Sequence, residues 1–120
     1  MAGEFAGKVV VVTGGSRGIG KGIGAVFARE GAQVVLAASS AENLAKAAKE
    51  MSGGPAPMTV ADDLRQLAAC EALFKAVNDK FKRCDVLVNN AGATKAGDFF
   101  QLPDEAFIDG FALKYFAAVR

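Results

Sequence analysis

The sequence predicts an α/β fold, a doubly wound parallel sheet whose four strands lie in the order 3-2-1-4 with helices on both faces. Three observations lead there. Apolar runs rich in β-branched residues recur without polar alternation, as in Val9-Val10-Val11-Val12, and such strands are buried on both faces. Longer segments with helical apolar spacing separate them. Strand and helix therefore alternate along the chain, which implies parallel pairing and right-handed crossovers.

The first strand is expected over Lys8 to Thr13, followed by a glycine-rich turn. Ile19, Ile23, Val26 and Phe27 then set the inner stripe of a helix. Gln33 to Ala38 is the second buried strand. Ser39, with Glu42 three residues on, forms a capping box that opens a helix over Asn43 to about Met51. Gly53-Gly54-Pro55 breaks that helix, and Pro57 to Ala61 holds a short third strand. Leu64, Leu67, Leu73, Phe74, Val77 and Phe81 mark a long amphipathic helix. Asp85 to Asn89 is the fourth strand, and a loop over Ala91 to Gln101 follows. Pro103-Asp104 starts a last helix with apolar positions from Phe107 to Val119. This alternation places a topological switch point between the first and fourth strands. Residues 1–7 read as a lead and 8–120 as one partial domain, with no repeat or linker.

Composition removes several function classes. Fourteen basic against 13 acidic residues leave a net charge of +1, so no charge excess argues for nucleic acid or an anionic membrane surface. There is no His, which rules out a His-based metal site and a Ser-His-Asp or Cys-His catalytic group within these residues. No metal site is expected. Cys70 and Cys84 lack ligand spacing and are expected as reduced, partly buried thiols. Met1 to Gly7 does not have the form of a secretory signal, and Val9 to Val12 is far short of the about 20 residues that span a bilayer. A soluble, cytoplasmic protein is the expectation.

The chemistry concentrates in Thr13-Gly14-Gly15-Ser16-Arg17-Gly18-Ile19-Gly20, between the first strand and the first helix. A helix N-terminus offers unpaired N–H groups and a positive dipole end, which suit linked phosphates. Glycines let the backbone turn sharply and approach a ligand closely, and Gly20 and Gly24 let the helix approach the sheet. A nucleoside-triphosphate loop is the rival reading. It fails at Gly22, which stands after Lys21 where a Ser or Thr would hold Mg²⁺.

This turn resembles the Thr-Gly-x-x-x-Gly-x-Gly pattern of the short-chain dehydrogenase/reductase family. Two further landmarks agree: Asn89-Asn90-Ala91-Gly92 at the end of the fourth strand, and Asp63-Leu64 after the third. The resemblance runs from about Phe5 to Arg120 and implies a Rossmann-type fold. It implies that Gly14, Ser16, Gly18 and Ile19 line a dinucleotide's diphosphate and adjacent ribose. Asp63 and Leu64 would contact the adenine ring, and Asn90, Ala91 and Gly92 would lie along the ribose and nicotinamide side. The Asn89 and Asn90 amides also suit a second role, tying neighbouring strands together.

NADP is the cofactor expected, with NAD as the alternative. An acidic residue at the end of the second strand would bind a ribose 2′-hydroxyl. Ala37-Ala38-Ser39-Ser40 stands there, without a carboxylate. Ser39 or Ser40 could donate to a 2′-phosphate, Ser39 could instead serve only as a helix cap, and Arg17 could reach the same phosphate or stay solvated.

The resemblance also implies a catalytic Ser and a Tyr with a Lys four residues on. Such a Tyr needs a cationic neighbour to bring its pKa towards the working range. The single tyrosine is Tyr115, with Val119 four residues on. No catalytic residue is assigned, and Tyr115 is expected to pack in the last helix. Lys114 falls where the family places a relay Asn, and is either a cation at the site floor or a solvated lysine. Phe99 and Phe100 could wall the substrate loop or belong to the core.

The chain is expected to be truncated before the catalytic part and inactive alone, leaving Val86, Leu87 and Val88 on an uncovered sheet edge. The complete protein would be an NADP-dependent oxidoreductase acting on a small alcohol or carbonyl compound. An inactive dinucleotide-binding half-domain or interaction module is the alternative. The last helix, apolar over about half its circumference, would form a homo-oligomer contact.

Overall fold

A computed structural model describes residues 3–92 and 97–120. Four strands form one parallel sheet: β1 (Val9–Thr13), β2 (Gln33–Ala38), β3 (Met58–Ala61) and β4 (Val86–Val88). Their order is β3-β2-β1-β4, as the alternation predicted. Register is continuous across the centre, with Val10 opposite both Val34 and Val86. The helices between them are α1 (Gly18–Arg29), α2 (Ala41–Lys49) and α3 (Leu67–Phe81). The last helix begins as α4 (Asp104–Phe111), passes through a π-helical turn (Ala112–Phe116) and ends as α5 (Ala117–Val119).

The unbroken apolar strands divide their side chains by parity, as a pleat requires. Val10, Val12, Val34 and Leu36 face one side, where Ala28 of α1 and Leu44 and Ala47 of α2 cover them. Val9, Val11, Val35 and Ala37 face the other, against Leu64 and Ala69, Leu73 and Val77 of α3. Every residue of β1 is buried. At the outer start of the sheet, the Val9 N–H donates to the Asp85 carboxylate at 2.8 Å. The Arg83 guanidinium beside Asp85, together with that N–H, holds this carboxyl below its usual range.

Helix faces depart from the expected stripes. α1 buries Gly20, Gly24 and Ala28 and packs Ile23 and Phe27 of the expected stripe on the core, whereas Ile19 is 77% exposed and Val26 is half exposed. Close approach of a helix to a sheet selects small residues at the contact line. A Cβ on Gly24 would already stand 3.0 Å from both Leu36 Cδ2 and Met51 Cε. The third helix starts at Leu67, so the buried Leu64 belongs to the turn before it. Its inner face is Ala69, Leu73 and Val77 at four-residue spacing, which turns Leu67 and Phe74 outwards. Tyr115 is also exposed and packs edge-to-face on Phe116 rather than into the core. Phe99 and Phe100 are exposed too, set edge-to-face on each other. Cys70 is half-buried as expected, but Cys84 is exposed; both are free thiols. No helix among the described residues is long and apolar enough to cross a membrane.

The cap of α2 is Ser40, not Ser39. Ser40 is extended and its Oγ accepts from the Asn43 N–H at 3.2 Å, so the helix opens at Ala41, two residues earlier than expected. β2 runs to Ala38, and the chain needs one further residue to turn away before the cap. Ser39 is thereby left exposed and free of capping.

Leu36 is fully buried and fills the space between α1 and the sheet. Replacing it with Ala is expected to lower unfolding stability by about 2–5 kcal/mol, the range for a buried Leu that leaves a cavity. Urea denaturation measures this, and a loss below about 1 kcal/mol would contradict the packing described.

Candidate functional site

The site grows from the point where β1 and β4 part. Thr13, at the end of β1, is the one buried polar residue among those described. Its hydroxyl donates to the Val88 carbonyl at 3.3 Å. It accepts from the Asn90 N–H at 3.1 Å and the Ala91 N–H at 3.0 Å. The Asn90 side-chain amide donates in turn to the Gly14 carbonyl at 3.2 Å. Two turns 77 residues apart are thus bound together by one hydroxyl and one amide.

The turn after β1 closes tightly. Gly14 sits at φ +67°, in the left-handed region that favours glycine. The Gly14 and Gly15 N–H groups both donate to the Ala37 carbonyl of β2. α1 then starts with Arg17 extended at its cap, no side-chain cap and no acidic residue in its first turn. Its N-terminal amides and positive dipole end are left for something outside the helix. Gly20 lets this end approach β4, since a Cβ there would stand 2.1 Å from the Gly14 carbonyl oxygen and 2.4 Å from Asn90 Nδ2.

These pieces open onto a cleft of ≈ 890 Å³ at the carboxyl ends of the strands, where open α/β sheets bind ligands. Gly14, Ser16, Arg17, Gly18 and Ile19 line it from the first turn. Ser39 stands at the end of β2, Asp63 and Leu64 follow β3, and Asn90, Ala91 and Gly92 follow β4. The structure therefore brings together all the binding residues singled out from the sequence. Ile19, exposed when judged as a core residue, is part of this wall. Lys114 is not: it stands in the π-helical turn with its stem over Gly92, where a Cβ would meet Lys114 Cε at 2.8 Å. It borders a separate apolar groove of ≈ 200 Å³ beside β4. Of the loop expected to border the site, Thr94 to Ala96 lie outside the described residues.

Charge is distributed unevenly around the cleft. Arg17 is exposed at the first turn. Arg65, the other cation on the wall, is occupied. Its Nη2 donates to Asp63 Oδ2 at 2.8 Å and its Nε to Asp63 Oδ1 at 2.9 Å. Its Nη1 lies 3.1 Å from Asp109 Oδ2 on α4. The Arg65 guanidinium holds the Asp63 carboxyl below its usual range. The exposed Arg17 and the uncapped N-terminus of α1 thus lie at one end of the cleft, and the paired Asp63 and Arg65 at the other.

Comparison with known proteins decides the family. The family model described as short chain dehydrogenase matches residues 8–120. The chain belongs to the short-chain dehydrogenase family of oxidoreductases. Among this family's members it is 39% identical over 104 residues to oxidoreductase UcpA of Salmonella typhimurium, covering 86% of this chain and 39% of UcpA. It is 37% identical over 91 residues to 1,6-dihydroxycyclohexa-2,4-diene-1-carboxylate dehydrogenase of Pseudomonas putida, covering 76% of this chain and 34% of that enzyme. L-sorbose reductase of Gluconobacter frateurii, solved with NADPH and L-sorbose, superposes with a TM-score of 0.87 at 34% identity. That match covers 99% of this chain and 46% of the reductase. A metagenomic short-chain oxidoreductase solved with NADP gives a TM-score of 0.87 at 33% identity, over 96% of this chain and 53% of that one. The chain thus spans about half the length, or less, of these relatives.

Three contributors escaped the sequence reading. In the sequence Thr13 reads only as part of a turn motif; its signal is a lone polar residue closing an all-apolar strand. Arg65 and Asp109 carry no such signal, because their partnership joins distant segments.

Gly20→Ala is expected to separate the two turns, because its methyl has only backbone and the Asn90 amide to displace. Overpacking of this kind costs roughly 1–3 kcal/mol. Thermal or urea unfolding measures that loss, and a neutral Gly20→Ala would refute the close approach.

Proposed function

We propose that the cleft binds a nicotinamide adenine dinucleotide, with NADP preferred over NAD. The observation that carries this reading is the uncapped, acid-free N-terminus of α1 opening on the cleft. A diphosphate would accept from the amides of the Gly14 to Ile19 turn, with Ser16 and Gly18 alongside. Asp63 and Leu64 would border the adenine, and Asn90, Ala91 and Gly92 the ribose and nicotinamide side. The solved relatives carrying NADPH or NADP support a nicotinamide cofactor. Preference for the 2′-phosphate rests on what stands at the end of β2. Ala37 to Ser40 carries no carboxylate to repel it, Ser39 is free of helix capping, Arg17 is exposed on the same cleft, and the neighbouring Asp62 carboxylate is engaged by the Asp63 N–H. In the complete protein, the bound cofactor would supply or accept hydride for a small alcohol or carbonyl substrate. The 120 residues contain no Tyr followed four places on by Lys, so binding without turnover is expected of this chain alone.

Fluorescence titration with NADPH and NADH tests the reading. NADPH is expected to bind tighter, and Arg17→Ala to weaken it by roughly 10-fold while NADH changes little, as expected for loss of one charge-assisted contact. Ser39→Asp should reverse the preference. A wild-type chain that favours NADH, or an Arg17→Ala variant without effect, overturns the NADP assignment.

A second reading follows from the last helix. Ile108, Phe111, Tyr115 and Val119 are all exposed by more than half and recur at spacings of three and four, which puts them on one face. This face would pair with a second copy of the chain. Phe111→Asp is expected to shift a dimer to monomer in sedimentation, and a wild type that is monomeric throughout rejects this contact.

A further inference from the structure

We propose that Arg65 is a positioning residue that clasps the last helix to the loop after β3 and thereby sets one wall of the cleft. The inference deepens the cofactor reading above and rests on it for the binding part.

The geometry begins with Asp63. Its carboxylate takes Arg65 Nε on both oxygens, at 2.9 and 3.1 Å, Nη2 at 2.8 Å, and the Arg65 backbone N–H at 3.1 Å. This fork fixes the plane of the guanidinium and leaves Nη1 aimed at Asp109, 3.1 Å away on α4. The helix returns to the same residue at its far end, where Arg120 Nη1 donates to the Arg65 carbonyl at 3.3 Å. One residue therefore receives the last helix at two points.

The helix is otherwise held shallowly. No residue from Asp104 to Val119 is buried; Leu113 and Ala117 pack on the core from the side, and Phe107 meets Phe99 edge-to-face. Meanwhile Asp63, Leu64 and Arg65 face Ala106, Asp109 and Gly110 within the same cleft. The distance between these two segments is a dimension of the cleft. A single exposed ion pair contributes little. Here one planar guanidinium serves two carboxylates, and the bidentate pair pre-orients it for the second.

Amide hydrogen exchange of the cofactor-free chain and NADPH titration, run on the same variants, test this. Arg65→Gln and Asp109→Asn are expected to speed exchange across residues 104–119 by about 2–5-fold, the range an exposed pair supports. Amides of β1 and β2 should be unaffected. Arg65→Lys should restore protection only in part, since it keeps the charge and loses the fork. At about 1 M salt, where screening acts within about 3 Å, wild-type exchange in this segment should approach that of Asp109→Asn. NADPH affinity should fall about 2–5-fold in Arg65→Gln and Asp109→Asn alike. Should Arg65→Gln also expose the strands, the surface change Asp109→Asn decides. Unchanged exchange in Asp109→Asn overturns the clasp, and faster exchange with unchanged affinity overturns its role in the cleft. A wild-type chain that binds neither NADPH nor NADH overturns the cofactor reading and the binding part with it, and exchange alone then judges the clasp.

Discussion

The Thr13 hydroxyl is the constraint on which the cleft depends. β1 and β4 are parallel neighbours whose chains leave the sheet in different directions, and such a divergence opens a crevice. Thr13 bridges it by accepting from the Asn90 and Ala91 amides while donating to the Val88 carbonyl. Those amides, half-buried beside a packed sheet, would otherwise lack partners, and an unpaired buried donor is costly. The bridge also brings the backbone at Ala91 within 3.0 Å of where a Gly14 side chain would begin. The crevice is therefore narrow at its floor and made of backbone there, which leaves the amides at the α1 N-terminus facing the opening. Gly20 matters for the same reason: α1 can start where it does only because no side chain separates it from the bridged turns.

Strands were legible because burial on both faces leaves a plain mark, an apolar run without alternation, and their order followed from the alternation with helices. Helix faces were less legible. Apolar periodicity weights large residues, and the contact of α1 with the sheet selects small ones, so Gly20, Gly24 and Ala28 lie inside while Ile19 turns out to the cleft. In α3 the same bias nominated Leu67 and Phe74, when an alanine, Ala69, holds the inner line. The π-helical turn at Ala112–Phe116 shifts the register of the last helix, and no residue type announces such a turn. It carries Lys114 over Gly92 and away from the cleft.

Residues of the local motifs all line the cleft, since a turn between strand and helix must be near the crevice wherever the helix then goes. Interactions between distant segments were not. Arg65 and Asp109 have no spacing relation in the chain, and only the fold sets one guanidinium between two carboxylates. The capping error at Ser39 is of a third kind. Two adjacent serines each suit a cap, and the choice fell to Ser40 because β2 continues to Ala38 and the turn needs one residue more.

That one-residue shift bears on the polarity of the whole cleft. With capping assigned to Ser40, Ser39 stands at the end of β2 with its hydroxyl free of the helix. The nearest acid on α2, Glu42, faces Lys46 at 3.5 Å. On the β3 side the Asp63 carboxylate is held by Arg65, and the Asp62 carboxylate accepts the Asp63 N–H at 2.8 Å. Arg17 and the N-terminal dipole of α1 thus stand at the β1 end of the cleft, while the negative groups gather after β3. In a chain whose net charge is only +1, bulk charge would contribute little to the cofactor binding proposed above. Selectivity for its anionic part would come from charge segregated over a few residues.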